Sequence, residues 1–134
     1  MLLLDASAWV TLVEEGSPYR DATATVIRDR APSLGALDLT LYEIANAVGV
    51  KRGDPDAAAR ILRLVDASCA DRIFPVDGEL LGAALEIAAE HGLTAYDAAY
   101  VAAARSHGMT LVSTDIADLV SKGLAVTPDA ADYP

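Results

Sequence analysis

"GLTAYDAAYVAAARSHGMTLVSTD", residues 92–115, holds a helix, a turn, a strand and an acid in that order. Thr94 reads as the helix N-cap, and Asp97 follows three residues later, the Thr-x-x-acid spacing of a capping box. Small and apolar residues then run to Gly108, which closes the helix. "MTLVST" (109–114) is a short apolar run bounded by a turn, the mark of a buried strand. Asp115 stands just past its end. The chain opens on the same device: in "MLLLDASAW" (1–9), Leu2 to Leu4 form a strand that delivers Asp5.

The segments between these two repeat the alternation. "SPYRDATATVIRDRAP" (17–32) predicts a helix with Ser17 as cap, Pro18 in its first position and Pro32 beyond its stop. "SLGALDL" (33–39) offers a second strand. "TLYEIANAVGVKRG" (40–53) is helical, with Leu41, Ile44, Ala45 and Val48 at core spacing. "DPDAAARILRLVDASC" (54–69) is another helix, capped by Asp54, with Ala58, Ile61, Leu62 and Val65 facing in. "RIFPV" (72–76) is a third strand. The next helix spans Gly78 to His91, with Leu81, Ala84, Leu85 and Ala88 inward, and Gly92 ends it. "GLAVTP" (123–128) is a short fifth strand. Short apolar strands separated by helices define an α/β domain with a mostly parallel sheet. Right-handed crossovers then place helices on both faces, a three-layer α/β/α arrangement.

The length of 134 residues predicts one domain over residues 1–134. Hydrophobic residues make up 53 %, enough for a sizeable core, and most are Ala, Leu and Val, which let helices pack closely. No apolar run approaches the roughly 18 residues of a membrane span. No basic segment precedes the first apolar run, so it does not read as a signal peptide. The single cysteine, Cys69, precludes an internal disulfide, and the expected location is the cytoplasm. The formal net charge of −10 argues against nonspecific nucleic-acid binding, which needs a basic surface, and favours a basic partner or bound cations.

Ligands of open α/β sheets bind outside the C-terminal strand ends, where Asp5 and Asp115 lie. Each also fits a plain helix cap. Glu43, three residues after Thr40, and Asp97, three after Thr94, fit capping boxes. Capping and ligation are compatible, because helices that follow strands begin at the edge where the strands end. Four acids gathered there repel one another, and a divalent cation removes the conflict. All-oxygen ligands select Mg²⁺, with Mn²⁺ able to substitute, over Zn²⁺. Ser7, Asn46, Thr114 and Asp118 stand close to these acids in sequence and are accessory candidates, although capping or solvation explains each. His91 and His107, beside glycines at helix ends, read as C-terminal caps; Tyr96 and Tyr100, which flank Asp97, read as core packing first and as shielding the site or stacking on a base second.

Four stretches together resemble the PIN-domain ribonucleases, specifically the VapC-type toxins: "LLLDASAW" (2–9), "LTLYEIANAV" (39–48), "GLTAYDAAYVAAARSHGMTLVSTD" (92–115) and "IADL" (116–119). Their order and spacing cover nearly the whole chain, and the third is long and specific. The resemblance implies a PIN-like fold with a central sheet of about five short parallel strands. It implies metal-dependent hydrolysis of RNA, with Asp5, Glu43, Asp97 and Asp115 on the family's acidic positions. Ser7 and Asn46 match accompanying polar positions, and Asp118 an occasional fifth acid. Mg²⁺ held by Asp5, Asp97 and Asp115 would activate water, leaving Glu43 to orient that water or to hold a second ion. Lys51, Arg52, Arg60, Arg63 and Arg72 are candidates for added positive charge near the cleft. The resemblance further implies a toxin of a type II toxin–antitoxin pair, a small cognate antitoxin whose C-terminal segment is basic, and a homodimer.

Other readings of the acids are weaker. Aspartyl-phosphate phosphatases want Asp-x-Asp, and Ser7 occupies the second position here. A receiver-like domain needs a lysine near the last strands, and Lys122 follows a helix instead. A non-catalytic interaction domain with an acidic pocket has no use for the complete acidic set.

Overall fold

The computed structural model describes residues 1–131, so the last three residues of the expected domain lie outside the described residues. Four strands, β1 (Leu2–Leu4), β2 (Leu34–Leu37), β3 (Ile73–Phe74) and β4 (Thr110–Val112), form one parallel sheet in the order β3-β2-β1-β4. The helices are α1 (Ala6–Val10), α2 (Arg20–Arg30), α3 (Asp38–Ile44), α4 (Pro55–Cys69), α5 (Gly78–His91) and α6 (Ala95–His107).

Alternation along the strands builds two cores. Leu2, Leu4, Leu34, Ala36 and Val112 face α1 to α4, while Leu3, Leu37 and Leu111 face α5 and α6. This is the expected three-layer α/β/α fold. β1 is buried throughout, as a strand covered on both faces must be. Gly35 leaves a gap that other side chains fill: a Cβ there would stand 2.6 Å from Met109 Cε and 3.1 Å from the Phe74 ring. Gly108, at φ 63°, supplies the left-handed turn that swings α6 directly into β4.

Several local expectations are corrected. The fifth strand shrinks to one parallel bridge, Val126 to Val112. Pro128, which has no N–H to give a ladder, opens a 3₁₀ turn two residues later. α2 begins at Arg20 with Tyr19 as N-cap, because the Ser17 hydroxyl accepts the Tyr19 N–H in a local turn instead. α3 begins at Asp38, so Thr40 is its third residue and not its cap; the Thr40 hydroxyl reaches back to accept the Leu37 N–H at 3.1 Å. The helix then widens to π-helical pairing over Ala45–Lys51. Leu81 and Leu85 are exposed, and α5 buries Ala84 and Ile87 instead. Asp54, Asp77 and Thr94 cap their helices by accepting the amides of Ala57, Leu80 and Asp97.

Candidate functional site

The ends of β1 and β4 are neighbours in the sheet, and the chain turns into a helical segment after each. Asp5 caps α1 by accepting the Ala8 amide at 3.1 Å, and Asp115 accepts the Asp118 amide at 3.0 Å. Both acids are therefore caps, as either local reading required. They are also brought to one edge. Carboxylate oxygens of Asp97, Asp115 and Asp118 lie within 4.8 Å of one another. Asp97 reaches this edge because Thr94 starts α6 there.

Asp5 and Glu43 lie outside that trio, and the charge of Asp97 reaches both. Asp5 is almost completely buried, and burial pushes its carboxyl up to about 6. The hydroxyls of Ser113 and Ser7 and the Ala8 amide pull the other way, and the charge of Asp97 adds to the rise. Burial raises Glu43, and Asp97 raises it further against a lowering hydrogen bond from Tyr100. Asp97 is itself raised by burial and then by Asp115 and Asp118, with Lys122 opposing. The charge of Asp97 thus links it to the other four acids, and burial is the largest cause of the rise in Asp5, Glu43 and Asp97 alike. Asp97, Asp115 and Asp118 are close enough to hold a hard divalent cation through oxygen ligands.

The accessory candidates separate. The Ser7 hydroxyl donates to Asp5 Oδ1 at 2.5 Å, lies 3.2 Å from Ser113 Oγ and accepts the Thr114 amide at 3.0 Å, so it ties the β1 end to the β4 end. Asn46, exposed on the π-helical turn, lines an open hollow of about 370 Å³ with Ser7, Glu43, Lys51 and Thr114. Asp118 belongs to the trio, exposed at its rim. Lys122 donates to the His91 carbonyl at 2.7 Å while its charge acts on Asp97. His107 stacks on Phe74 at 3.9 Å, and neither histidine joins an acidic cluster among the described residues.

Two residues escape the sequence reading. Ser113, fully buried, accepts the Asp115 amide at 3.0 Å and stands beside Asp5. Its signal was a hydroxyl at the end of a buried strand, two residues before an acid as Ser7 is two after one. Tyr100 was read as packing, and its ring is buried, but its hydroxyl donates to Glu43 Oε1 at 2.7 Å. A buried tyrosine hydroxyl needs a partner, and one helical turn after Asp97 that partner lies at the same edge.

The class that fold and site define is a parallel α/β domain with an acidic cluster at the C-terminal edge of its sheet, where ligands of such sheets bind. The PIN domain model matches residues 2–119, and the chain belongs to the PIN domain family. It is 34 % identical over 120 residues to Ribonuclease VapC3 of Pyrobaculum aerophilum, covering 85 % of this chain and 88 % of that protein. It is 40 % identical over 118 residues to Exonuclease VapC9 of the same organism, covering 84 % and 79 %. A solved toxin–antitoxin complex from Klebsiella pneumoniae contains a chain of the same fold, with a TM-score of 0.72 at 17 % identity over 96 % of this chain and 98 % of that one.

Proposed function

We propose that this chain is a metal-dependent endoribonuclease, the toxin of a type II toxin–antitoxin pair. The observation that carries the reading is the approach of Asp97, Asp115 and Asp118 within 4.8 Å at the sheet edge of a PIN domain. Asp5, Glu43, Asp97 and Asp115 would hold Mg²⁺ or Mn²⁺, with Asp118, the third member of the close trio, as a further ligand. A bound cation of this kind supplies an acidified water and a clamp on a phosphate oxygen. The chain's own residues prepare that site. Ser7 and Ser113 hold Asp5 in place, and Glu43 faces the shared charge from α3. The hollow lined by Asn46, Thr114 and Lys51 admits the RNA strand, with Lys51 meeting a phosphate. Asp118 is exposed at the rim, so an internal phosphodiester can approach without a free end.

The partners follow from charge and surface. A net charge of −10 and an edge with five acids suit a small antitoxin whose basic C-terminal segment reaches Asp5 or Asp97. Exposed Leu81 and Leu85 on α5 offer an apolar face to a second copy in a homodimer. No helix among the described residues is long and apolar enough to cross a membrane.

Induced expression without a partner, followed by sequencing of RNA ends, tests the proposal. Wild type should arrest growth and create new ends at defined positions, and Asp97→Asn should do neither. Growth arrest by Asp97→Asn equal to that by wild type would sink it.

A further inference from the structure

Glu43 differs from the other acids in what holds it. Asp5 and Asp115 accept backbone amides of their own helical turns, and Ser7 also donates to Asp5. Glu43 lies late in α3, where backbone amides are used within the helix. Among the described residues its carboxylate has a single hydrogen-bond partner, Tyr100. That bond crosses from α6 in one helical layer to α3 in the other, over the strand ends.

The Tyr100 hydroxyl is not free to point elsewhere. Its single proton goes to Glu43 Oε1, since a carboxylate only accepts. Its oxygen lies 2.9 Å from Thr40 Oγ1, so Thr40 must donate there. Thr40 in turn accepts the Leu37 N–H at 3.1 Å and is fully buried. Each donor is used once, and the direction is unique: Leu37 amide to Thr40 to Tyr100 to Glu43. Such a chain begins on the backbone at the end of β2 and ends on an acid of the candidate site. It also opposes the repulsion of Glu43 by Asp97.

We propose that Tyr100 is a positioning residue, and that the relay from the β2 end through Thr40 and Tyr100 fixes the Glu43 carboxylate for divalent-cation binding and RNA cleavage. The proposal rests on the assignment of Glu43 to the metal site. Oε1 accepts from the relay, and Oε2 has no hydrogen-bond partner among the described residues. The rigid phenol ring, packed in the α6 core, sets where that carboxylate sits. A tyrosine that only filled space would need no such chain, because phenylalanine fills the same volume.

The test compares wild type, Tyr100→Phe, Glu43→Gln and the double variant. Three readings are taken: Mn²⁺ affinity by electron paramagnetic resonance, kcat and KM on a short fluorogenic RNA, and melting temperature. Tyr100→Phe should weaken Mn²⁺ binding and lower kcat by about 10-fold or more, as loss of a partner behind a metal ligand does. KM should stay within about twofold and the fold should remain intact, because the ring is kept. In the Glu43→Gln background the same change should cost less than about twofold, since the two act as one unit. Thr40→Val should lower kcat, and Thr40→Ser should recover most of that loss. Tyr100→Phe equal to wild type in both Mn²⁺ affinity and kcat overturns the proposal, as does a full multiplicative loss in the double variant. Glu43→Gln equal to wild type overturns the Glu43 assignment instead and takes the proposal with it. If wild type cuts no RNA, the nuclease reading falls, and the Mn²⁺ affinities still decide for or against the relay.

Discussion

Asp5 is held at a cost to the fold, and Asp5→Asn measures it. The folded carboxyl titrates at about 6 against an ordinary 3.8, chiefly because it is buried. A carboxyl raised in this way binds its proton more tightly folded than unfolded. Stability therefore falls as pH rises from about 4 to about 6, and the loss is complete by pH 7. At about 1.4 kcal/mol per pH unit the penalty is roughly 3 kcal/mol. Asn removes the charge and keeps an oxygen that can accept from Ala8 and Ser7, but its amide N–H₂ puts donors where a buried acceptor oxygen stood, which offsets about 1–2 kcal/mol of the gain. The net gain is about 1 kcal/mol, or about 3–4 °C in melting temperature for a chain of 134 residues. Thermal melts at pH 7.5 in EDTA should therefore place Asp5→Asn at or above wild type. Near pH 5 the two should cross, and at lower pH wild type should be the more stable as Asp5 takes up its proton. Added Mg²⁺ should reverse the order: at ten times its Kd it stabilises a folded site by about 1.4 kcal/mol, and the variant should gain much less. A variant melting well below wild type in EDTA, or equal gains from Mg²⁺, would refute the reasoning and leave Asp5 as a helix cap alone.

Three further outcomes are expected. Truncating the basic C-terminal segment of the cognate antitoxin should restore RNA cleavage in the complex; full inhibition without that segment, measured on the purified complex, counts against the acidic edge as its target. Ser113→Ala should lower Mn²⁺ affinity while a circular dichroism spectrum stays unchanged, because the Asp115 amide and Asp5 lose a shared neighbour; an unaltered affinity would make Ser113 purely structural. Gly35→Ala should destabilise by about 1 kcal/mol in urea melts, since Met109 can yield to the new Cβ but the Phe74 ring and the Arg72 carbonyl are also close; an unchanged midpoint would show that the gap tolerates a methyl.

The fold was legible where a local signal and the global architecture agree. Leu2 to Leu4 and "TLV" (110–112) are short apolar runs that end on acids, and Thr94 and Asp54 announce their helices with side chains that accept nearby amides. Thr40 misled because a hydroxyl three residues into a helix and one at its cap leave the same pattern in sequence. The two differ only in where β2 stops, and β2 stops at Leu37. α5 misled because it carries apolar residues on two stripes. Contact with α6 selects Ala84 and Ile87 and leaves Leu81 and Leu85 outside, a choice made by tertiary packing and not by period. Asp5 and Asp115 were legible as strand-end residues and Asp97 as a helix-start residue, whereas Glu43, read at a helix start, lies one residue before the end of α3. Ser113 and Tyr100 were not legible, because their roles come from partners far along the chain, Ser7 and Glu43.

The central claim is that acids from separate segments act as one cation site that cuts RNA. Incubating purified wild type and Asp97→Asn with a circular RNA, in Mg²⁺ and in EDTA, tests it most directly, because a circle offers no end to an exonuclease. Asp97 is the acid whose charge reaches Asp5 and Glu43 and whose own carboxyl feels Asp115 and Asp118. The account predicts that wild type linearises the circle in Mg²⁺, that EDTA abolishes the reaction, and that folded Asp97→Asn is slower by about 100-fold or more, as expected when a metal site loses a ligand. Linearisation that persists in EDTA, or that proceeds in Asp97→Asn at the wild-type rate, would contradict it.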